Sequence, residues 1–249
     1  MTFKNYFSVQ AADYAKFRPT YPPELIEYVA RFAPGHQIAW DCATGNGQAA
    51  IALASHFDRV IATDASEKQI SRAQTHARVA FRVAPAESSG VESGSVDLIT
   101  VAQALHWFDL PAFYAETKRV LKPGGVLAVW NYNLLQSTPE IDAVVHRFYN
   151  EIVGPFWPPE RQLIERGYEQ LPFPFEELDP PRFKMTARWS LDSLLGYLGT
   201  WSATQRYIQA NQQDPITLIA SDLRKAWGTS KNQHLVTWPL QLRVGRSVS

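Results

Sequence analysis

Asp41 stands immediately before Cys42-Ala43-Thr44-Gly45-Asn46-Gly47, a loop whose small residues alternate at positions 43, 45 and 47. The lead-in Gln37-Ile38-Ala39-Trp40 is β-branched and aromatic, and an alanine-rich helical pattern starts at Gln48. This order reads as strand, tight glycine loop, helix. Backbone in such a loop can approach a ligand closely, and the helix N-terminus presents free N–H groups. About twenty residues on, Asp64 ends the next apolar run, where a carboxylate can accept hydrogen bonds from both hydroxyls of a ribose. Together they predict an adenosine-containing cofactor. Gly45-Asn46-Gly47-Gln48-Ala49-Ala50 also satisfies G-x-G-x-x-A, a string that NAD enzymes share.

The elements that must hold these residues follow from hydrophobic periodicity. Strands are predicted over 37–42, 59–63, 79–83, 95–101 and 126–130, with helices over 23–31, 47–55, 66–77 and 111–121 between them. Pro123-Gly124-Gly125 reads as a turn. Such alternation builds right-handed βαβ units on a parallel sheet, with ligands beyond the carboxyl ends of the strands. Asp41, Asp64, Val83-Ala84-Pro85 and Ala102-Gln103 all fall at those ends, so four loops converge on one crevice. After Asn131 the pattern changes. A helix is predicted over 138–152, a proline- and aromatic-rich stretch over 154–181, and a strand over 182–189. Helices follow over 190–198, 202–211 and 215–227, then a strand over 234–244. The expected fold is α/β: a Rossmann-like doubly wound sheet, mostly parallel, with an antiparallel C-terminal edge hairpin and a helical cap. Residues 1–249 read as a single domain, with a cofactor-binding core over 1–132, a substrate cap over 133–230 and a final strand over 234–244.

Composition narrows the partners. The formal charge is zero, from 24 basic and 24 acidic residues, which argues against nucleic acid or an anionic membrane surface as the main partner. One cysteine, Cys42, allows no intramolecular disulfide, which fits a reducing compartment. The first residues lack the signal-peptide pattern, and no apolar run approaches the roughly 18 residues of a membrane span. A cytoplasmic protein is expected. Five of the eight tryptophans (157, 189, 201, 227 and 238) lie beyond residue 150, as core or as an aromatic-lined pocket. His36, His56, His76, His146 and His234 show no metal-ligand spacing, so no metal is expected.

The ordered series Asp41–Gly47, Ala62-Thr63-Asp64-Ala65-Ser66, Ala84-Pro85-Ala86-Glu87, Val96-Asp97-Leu98-Ile99 and Leu121-Lys122-Pro123-Gly124-Gly125 resembles class I S-adenosylmethionine-dependent methyltransferases of the type 11 group. Phe17-Arg18-Pro19-Thr20-Tyr21-Pro22 and Gln103-Ala104-Leu105-His106-Trp107-Phe108 resemble the branch of trans-aconitate methyltransferase-like proteins. The resemblance implies S-adenosyl-L-methionine as cofactor and a small-molecule methyl acceptor. It also implies roles. Backbone near Ala43, Gly45 and Gly47, with Asn46 in the same loop, would hold the methionine part. Asp41 would face its ammonium group, directly or through water, or serve as a turn aspartate. Asp64, with Ala65 beside it, would take the ribose. Ala86 would meet the adenine through its backbone, and Gln103 and Ala104 would lie by the sulfonium.

Two departures from the family pattern stand out. Ala43 replaces the first glycine of the loop and fits if its φ is negative. Pro85 stands where an acidic residue often meets the adenine amino group, leaving Glu87 as a substitute. Arg18 matches a cofactor or substrate carboxylate, or an internal ion pair. His106 and Trp107 sit next to the expected methyl donor, as general base and partner or as a packing pair. A carboxylate acceptor would need no base. Trp157, Trp189, Trp201 and Tyr207 would cap the acceptor, and Arg182, Arg188 and Arg206 could recruit an anionic one. The reading is methyl transfer to a small organic molecule, with a carboxylic acid as one class. The alternatives are a non-catalytic adenosyl-cofactor-binding module and an NAD-dependent enzyme.

Overall fold

The computed structural model of the protein describes residues 19–229 and 231–247. Its sheet runs in the order β3-β2-β1-β4-β5-β8, with β6 and β7 both paired to the far side of β8. The strands are β1 Ile38–Cys42, β2 Arg59–Asp64, β3 Val79–Val83, β4 Val96–Ala102 and β5 Leu121–Tyr132, then β6 Glu176–Leu178, β7 Phe183–Trp189 and β8 His234–Arg246. The pairs among β1 to β5 are parallel, and the three pairs made by β8 are antiparallel. β4 is buried along nearly its whole length, as a central parallel strand must be. The antiparallel pair expected at the edge is present, with β8 inserted between β5 and the edge strands.

The switch point lies between β1 and β4, where the order reverses. Helices cover both faces: α1 Pro23–Arg31, α2 Gln48–Leu53 and α3 Glu67–Ile70, then α4 Leu110–Val120, α5 Pro139–Arg147 and α6 Arg161–Glu165. Three more follow, α7 Leu191–Gly199, α8 Ser202–Asn211 and α9 Ala220–Trp227. Strand alternation splits the core in two. Ala39 and Trp130 pack on one face with Leu25, Leu53, Phe148 and Trp227. Trp40 and Val129 pack on the other with Leu105, Phe113, Ile164 and Tyr168.

Several boundaries differ from expectation for local reasons. α3 stops at Ile70, with no buried residue to reward a longer helix. The 123–125 turn lies inside β5, where the register with β4 shifts between Val96 and Leu98, so the glycines form an irregularity within a strand. The 138–152 helix is α5 followed by a π turn, Phe148–Ile152. The 154–181 stretch carries a 3₁₀ turn at Gly154–Phe156, α6 and β6. Asp97, within one of the family-like segments, lies at the far end of β4 from the crevice. It accepts the Gln37 and Ile38 N–H groups at 3.1 and 2.9 Å and pairs with Lys122 Nζ at 2.8 Å, a structural anchor.

Candidate active site

The glycine loop is assembled from the switch point outward. Asp41 is 1% exposed, and its two carboxylate oxygens accept the hydroxyls of Thr44 at 2.5 Å and Thr100 at 2.7 Å. Thr100 is its register partner on β4, so the bond spans the switch point. Burial raises the Asp41 pKa to about 6 against the pull of these hydroxyls. Asp64 accepts the Gly45 N–H at 2.9 Å and the Ser66 N–H at 2.8 Å, one on each oxygen. Each oxygen keeps a second lone pair, and burial raises this carboxyl too.

Ala43 corrects an expectation. Its φ is +55°, in the left-handed region, and not the negative value that would suit alanine. Gly47, the N-cap of α2, is left-handed at +91°, and a Cβ there would stand 2.7 Å from the Phe81 ring. Gly45 is left-handed at +58°, yet a Cβ there would meet nothing within 4 Å. Asn46 is half-buried beside it, and Ala65 is exposed after Asp64.

At the end of β3, Ala86 is buried in the core face shared with Cys42 and Ile61. Glu87 accepts the Asp109 N–H at 3.0 Å, tying this loop to the start of α4. The same loop is anchored at Ser89, whose N–H and hydroxyl both bond Glu116. Arg119 pairs with Glu116 in bidentate fashion, and the Glu116 pKa falls to about 2, chiefly through that guanidinium.

At the end of β4, Gln103 is left-handed at φ +57°, and its Nε2 donates to the Tyr132 carbonyl at 3.0 Å. Its Oε1 is buried without a partner among the described residues. Ala104 is buried next to it, and Leu105–Trp107 forms a 3₁₀ turn that carries His106 and Trp107. His106 Nδ1 lies 2.7 Å from the Tyr168 hydroxyl. Burial, and then the Arg161 charge, lower the His106 pKa to about 3. A cleft opens here, bounded by Gln103, His106, Trp107, Arg161, Trp157 and Trp201.

Arg161 is a cleft residue that sequence spacing does not single out. It lies over the Trp157 ring at 4.7 Å, donates to the Tyr149 hydroxyl at 2.7 Å and reaches Asn133 Oδ1 at 2.6 Å. Tyr149 in turn donates to Glu165. The π turn brings Tyr149 to this position. Of the tryptophans expected over an acceptor, Trp157 and Trp201 line the cleft, whereas Trp189 packs on Trp238 and Tyr207 on Phe156. Arg182 and Arg188 are exposed, and Arg206 donates to the Phe156 carbonyl; none of the three lines the cleft. Arg18 falls outside the described residues. The signal available for Arg161 was its place in the proline- and aromatic-rich stretch.

The crevice fits S-adenosylmethionine on three observations. Open space over Gly45 lets a ligand reach the loop backbone. Asp64 has lone pairs left for ribose hydroxyls. The orphaned Gln103 Oε1 is an acceptor that an ammonium group would satisfy. Among the described residues, no helix is long and apolar enough to cross a membrane.

Comparison with known proteins agrees. The methyltransferase domain family matches residues 40–129. A protein of Dictyostelium discoideum described as a methyltransferase is 37% identical over 232 residues, covering 92% of this chain and 88% of its own. A solved structure from Anaeromyxobacter dehalogenans, described as a type II methyltransferase, is 48% identical with a TM-score of 0.87, covering 92% of this chain and 98% of that one. A Bacillus halodurans structure, 18% identical with a TM-score of 0.53 over 91% of this chain and 99% of its own, shares the fold. The chain belongs to the methyltransferase family and is an S-adenosylmethionine-dependent methyltransferase.

Proposed function

We propose that the protein transfers a methyl group to a small organic acid seated in the Arg161 cleft. The observation that carries this reading is a guanidinium, held by Tyr149 and Asn133, in the wall of an aromatic cleft beside Gln103 and His106. A guanidinium matches a carboxylate in fork geometry. Such a cleft is more than a non-catalytic adenosyl-binding module requires. The resemblance to trans-aconitate methyltransferase-like proteins points to the same acceptor class.

The cofactor roles are part of the proposal. The backbone of Ala43, Gly45, Asn46 and Gly47 and the orphaned Gln103 Oε1 hold the methionine part, with Ala104 beside it. Asp41 acts through the Thr44 and Thr100 hydroxyls, balancing the ammonium charge from beneath the loop. Asp64 takes the ribose next to Ala65, and Ala86 meets the adenine, with Glu87 fixing its loop. Residues 133–230 form the acceptor cap over a core of 1–132.

When bound, S-adenosylmethionine would supply a sulfonium methyl, which a carboxylate acceptor would take on oxygen with no proton to remove. The chain then has two tasks, alignment and exclusion of water, which can supply several kcal/mol. Arg161 fixes the carboxylate, the indoles of Trp107, Trp157 and Trp201 exclude water, and His106 contacts the acceptor.

Titration calorimetry with S-adenosylhomocysteine tests the cofactor half. Micromolar affinity is expected for the wild type, at least tenfold weaker for Asp64→Ala, with no binding of NAD. Unchanged affinity in Asp64→Ala would remove the ribose assignment.

A further inference from the structure

The His106–Tyr168 pair fixes which face of the imidazole carries the proton. Tyr168 is 1% exposed, lies just beyond α6, and places its hydroxyl 2.7 Å from His106 Nδ1. The backbone N–H groups of Leu105 and His106, the first in their 3₁₀ turn, also favour negative charge on this phenol oxygen. An imidazole nitrogen is a stronger acceptor than a phenol oxygen, and a phenol is a stronger donor than a neutral imidazole N–H. With the ring neutral and the phenol protonated, the phenol proton goes to its hydrogen-bond partner, His106 Nδ1. That nitrogen must then be bare, and the ring proton sits on Nε2. Nε2 has no partner among the described residues, and His106 borders the cleft.

We propose that Tyr168 is a positioning residue that locks His106 in its Nε2–H tautomer, so that His106 offers the methyl acceptor a fixed N–H donor and not a base. This rests on the proposed acceptor site and deepens it. The acceptor must present an oxygen to that N–H, and it must already be nucleophilic without losing a proton. A carboxylate meets both demands, and Arg161 stands in the same cleft to take its charge. A neutral alcohol presents an oxygen but must lose a proton, and a protonated amine meets neither demand. The charged and titratable neighbours of the ring favour its neutral form. Burial and the Arg161 cation both oppose protonation. Burial also holds the Tyr168 phenol protonated through the whole working range.

The test is nitrogen-15 NMR of the full chain labelled at histidine, with the His106 signals identified by their loss in His106→Gln. The expected result is a bare Nδ1 and a protonated Nε2 that do not change between pH 5 and 8. A protonated Nδ1, or titration near 6.5, would overturn the proposal. In Tyr168→Phe the ring should lose its single tautomer or begin to titrate, and kcat for a carboxylate acceptor should fall at least tenfold with S-adenosylhomocysteine affinity retained. An unchanged spectrum in Tyr168→Phe, or a changed spectrum with unchanged kcat, would also overturn it. The wild-type spectrum, assigned with His106→Gln, needs no acceptor and no Tyr168 variant. It therefore stands even if the acceptor class is wrong or Tyr168→Phe does not fold.

Discussion

Ala43 holds a left-handed conformation that costs an L-residue about 1–2 kcal/mol relative to the right-handed form. Ala43→Gly should relieve that strain, offset in part by the greater freedom of glycine in the unfolded chain. Thermal unfolding should show a Tm unchanged or raised by a few degrees, with S-adenosylhomocysteine affinity kept; a lowered Tm would mean that the methyl group packs usefully. Asp41 carries a second cost. Burial lifts its pKa from 3.8 to about 6, on the order of 3 kcal/mol against folding at neutral pH. The folded state holds the proton more tightly than the unfolded chain, so this contribution is fully favourable below about pH 4 and is lost as pH rises through 6. An ammonium group nearby favours the carboxylate. Affinity for S-adenosylhomocysteine should therefore weaken as pH falls below about 6, approaching tenfold per pH unit. Asp41→Asn should raise the Tm of the cofactor-free protein at pH 7.5 by a few degrees while flattening that pH profile. A wild-type affinity constant from pH 5 to 8 would contradict the role given to Asp41.

At the scale of elements, the loop after β3 depends on α4. Glu116 is 8% exposed and joins Ser89 to Arg119, so it fixes the segment that carries Ala86. Its pKa lies at about 2, below the unfolded value of 4.5. The stability it contributes is present above about pH 4.5 and lost as pH falls towards 2. Glu116→Gln should cost on the order of 2 kcal/mol at pH 7, with the difference closing in acid, read by denaturant unfolding. A difference independent of pH would assign the loss to packing. The parallel half of the sheet was legible because buried strands read as apolar runs and each crevice loop begins at a strand end. The placing of Asp41, Gly45, Gly47 and Asp64 around one crevice was legible for the same reason: it follows from local backbone. The sign of φ at Ala43 was not, since the tie from Asp64 to Gly45 that shapes this loop is a contact between two strands. α6 and β6 escaped because pieces of five and three residues are too short to show a period.

On the scale of the whole molecule, the cleft proposed for the acceptor joins segments far apart in the chain: the loop after β4, the end of β5, Trp157, α6, and Trp201 before α8. Arg161 meets His106 and Asn133 only through this long-range packing. Sequence spacing therefore could not choose it over Arg182, Arg188 or Arg206. Aromatic contacts such as Trp157 on Trp201 and Tyr149 on Trp201 hold this wall of the cleft and set the guanidinium against the Trp157 indole and the Tyr149 ring. A substitution that breaks this frame should lower acceptor turnover without touching cofactor affinity, because the glycine loop lies on the other side of the switch point.

Methyl transfer to a carboxylate held by Arg161 can be tested by transfer of labelled methyl from S-adenosylmethionine to a panel of small organic acids, with wild type, Arg161→Lys and Arg161→Gln side by side. Methyl esters release labelled methanol in alkali, whereas methyl ethers and N-methyl products do not. Alkali-labile product is expected from the wild type. kcat/KM should fall about a hundredfold in Arg161→Gln, from loss of about 2–3 kcal/mol of charge-assisted bonding, with an intermediate loss in Arg161→Lys and unchanged S-adenosylhomocysteine affinity in both. Alkali-stable product from an amine or alcohol, or equal rates in all three proteins, would contradict it.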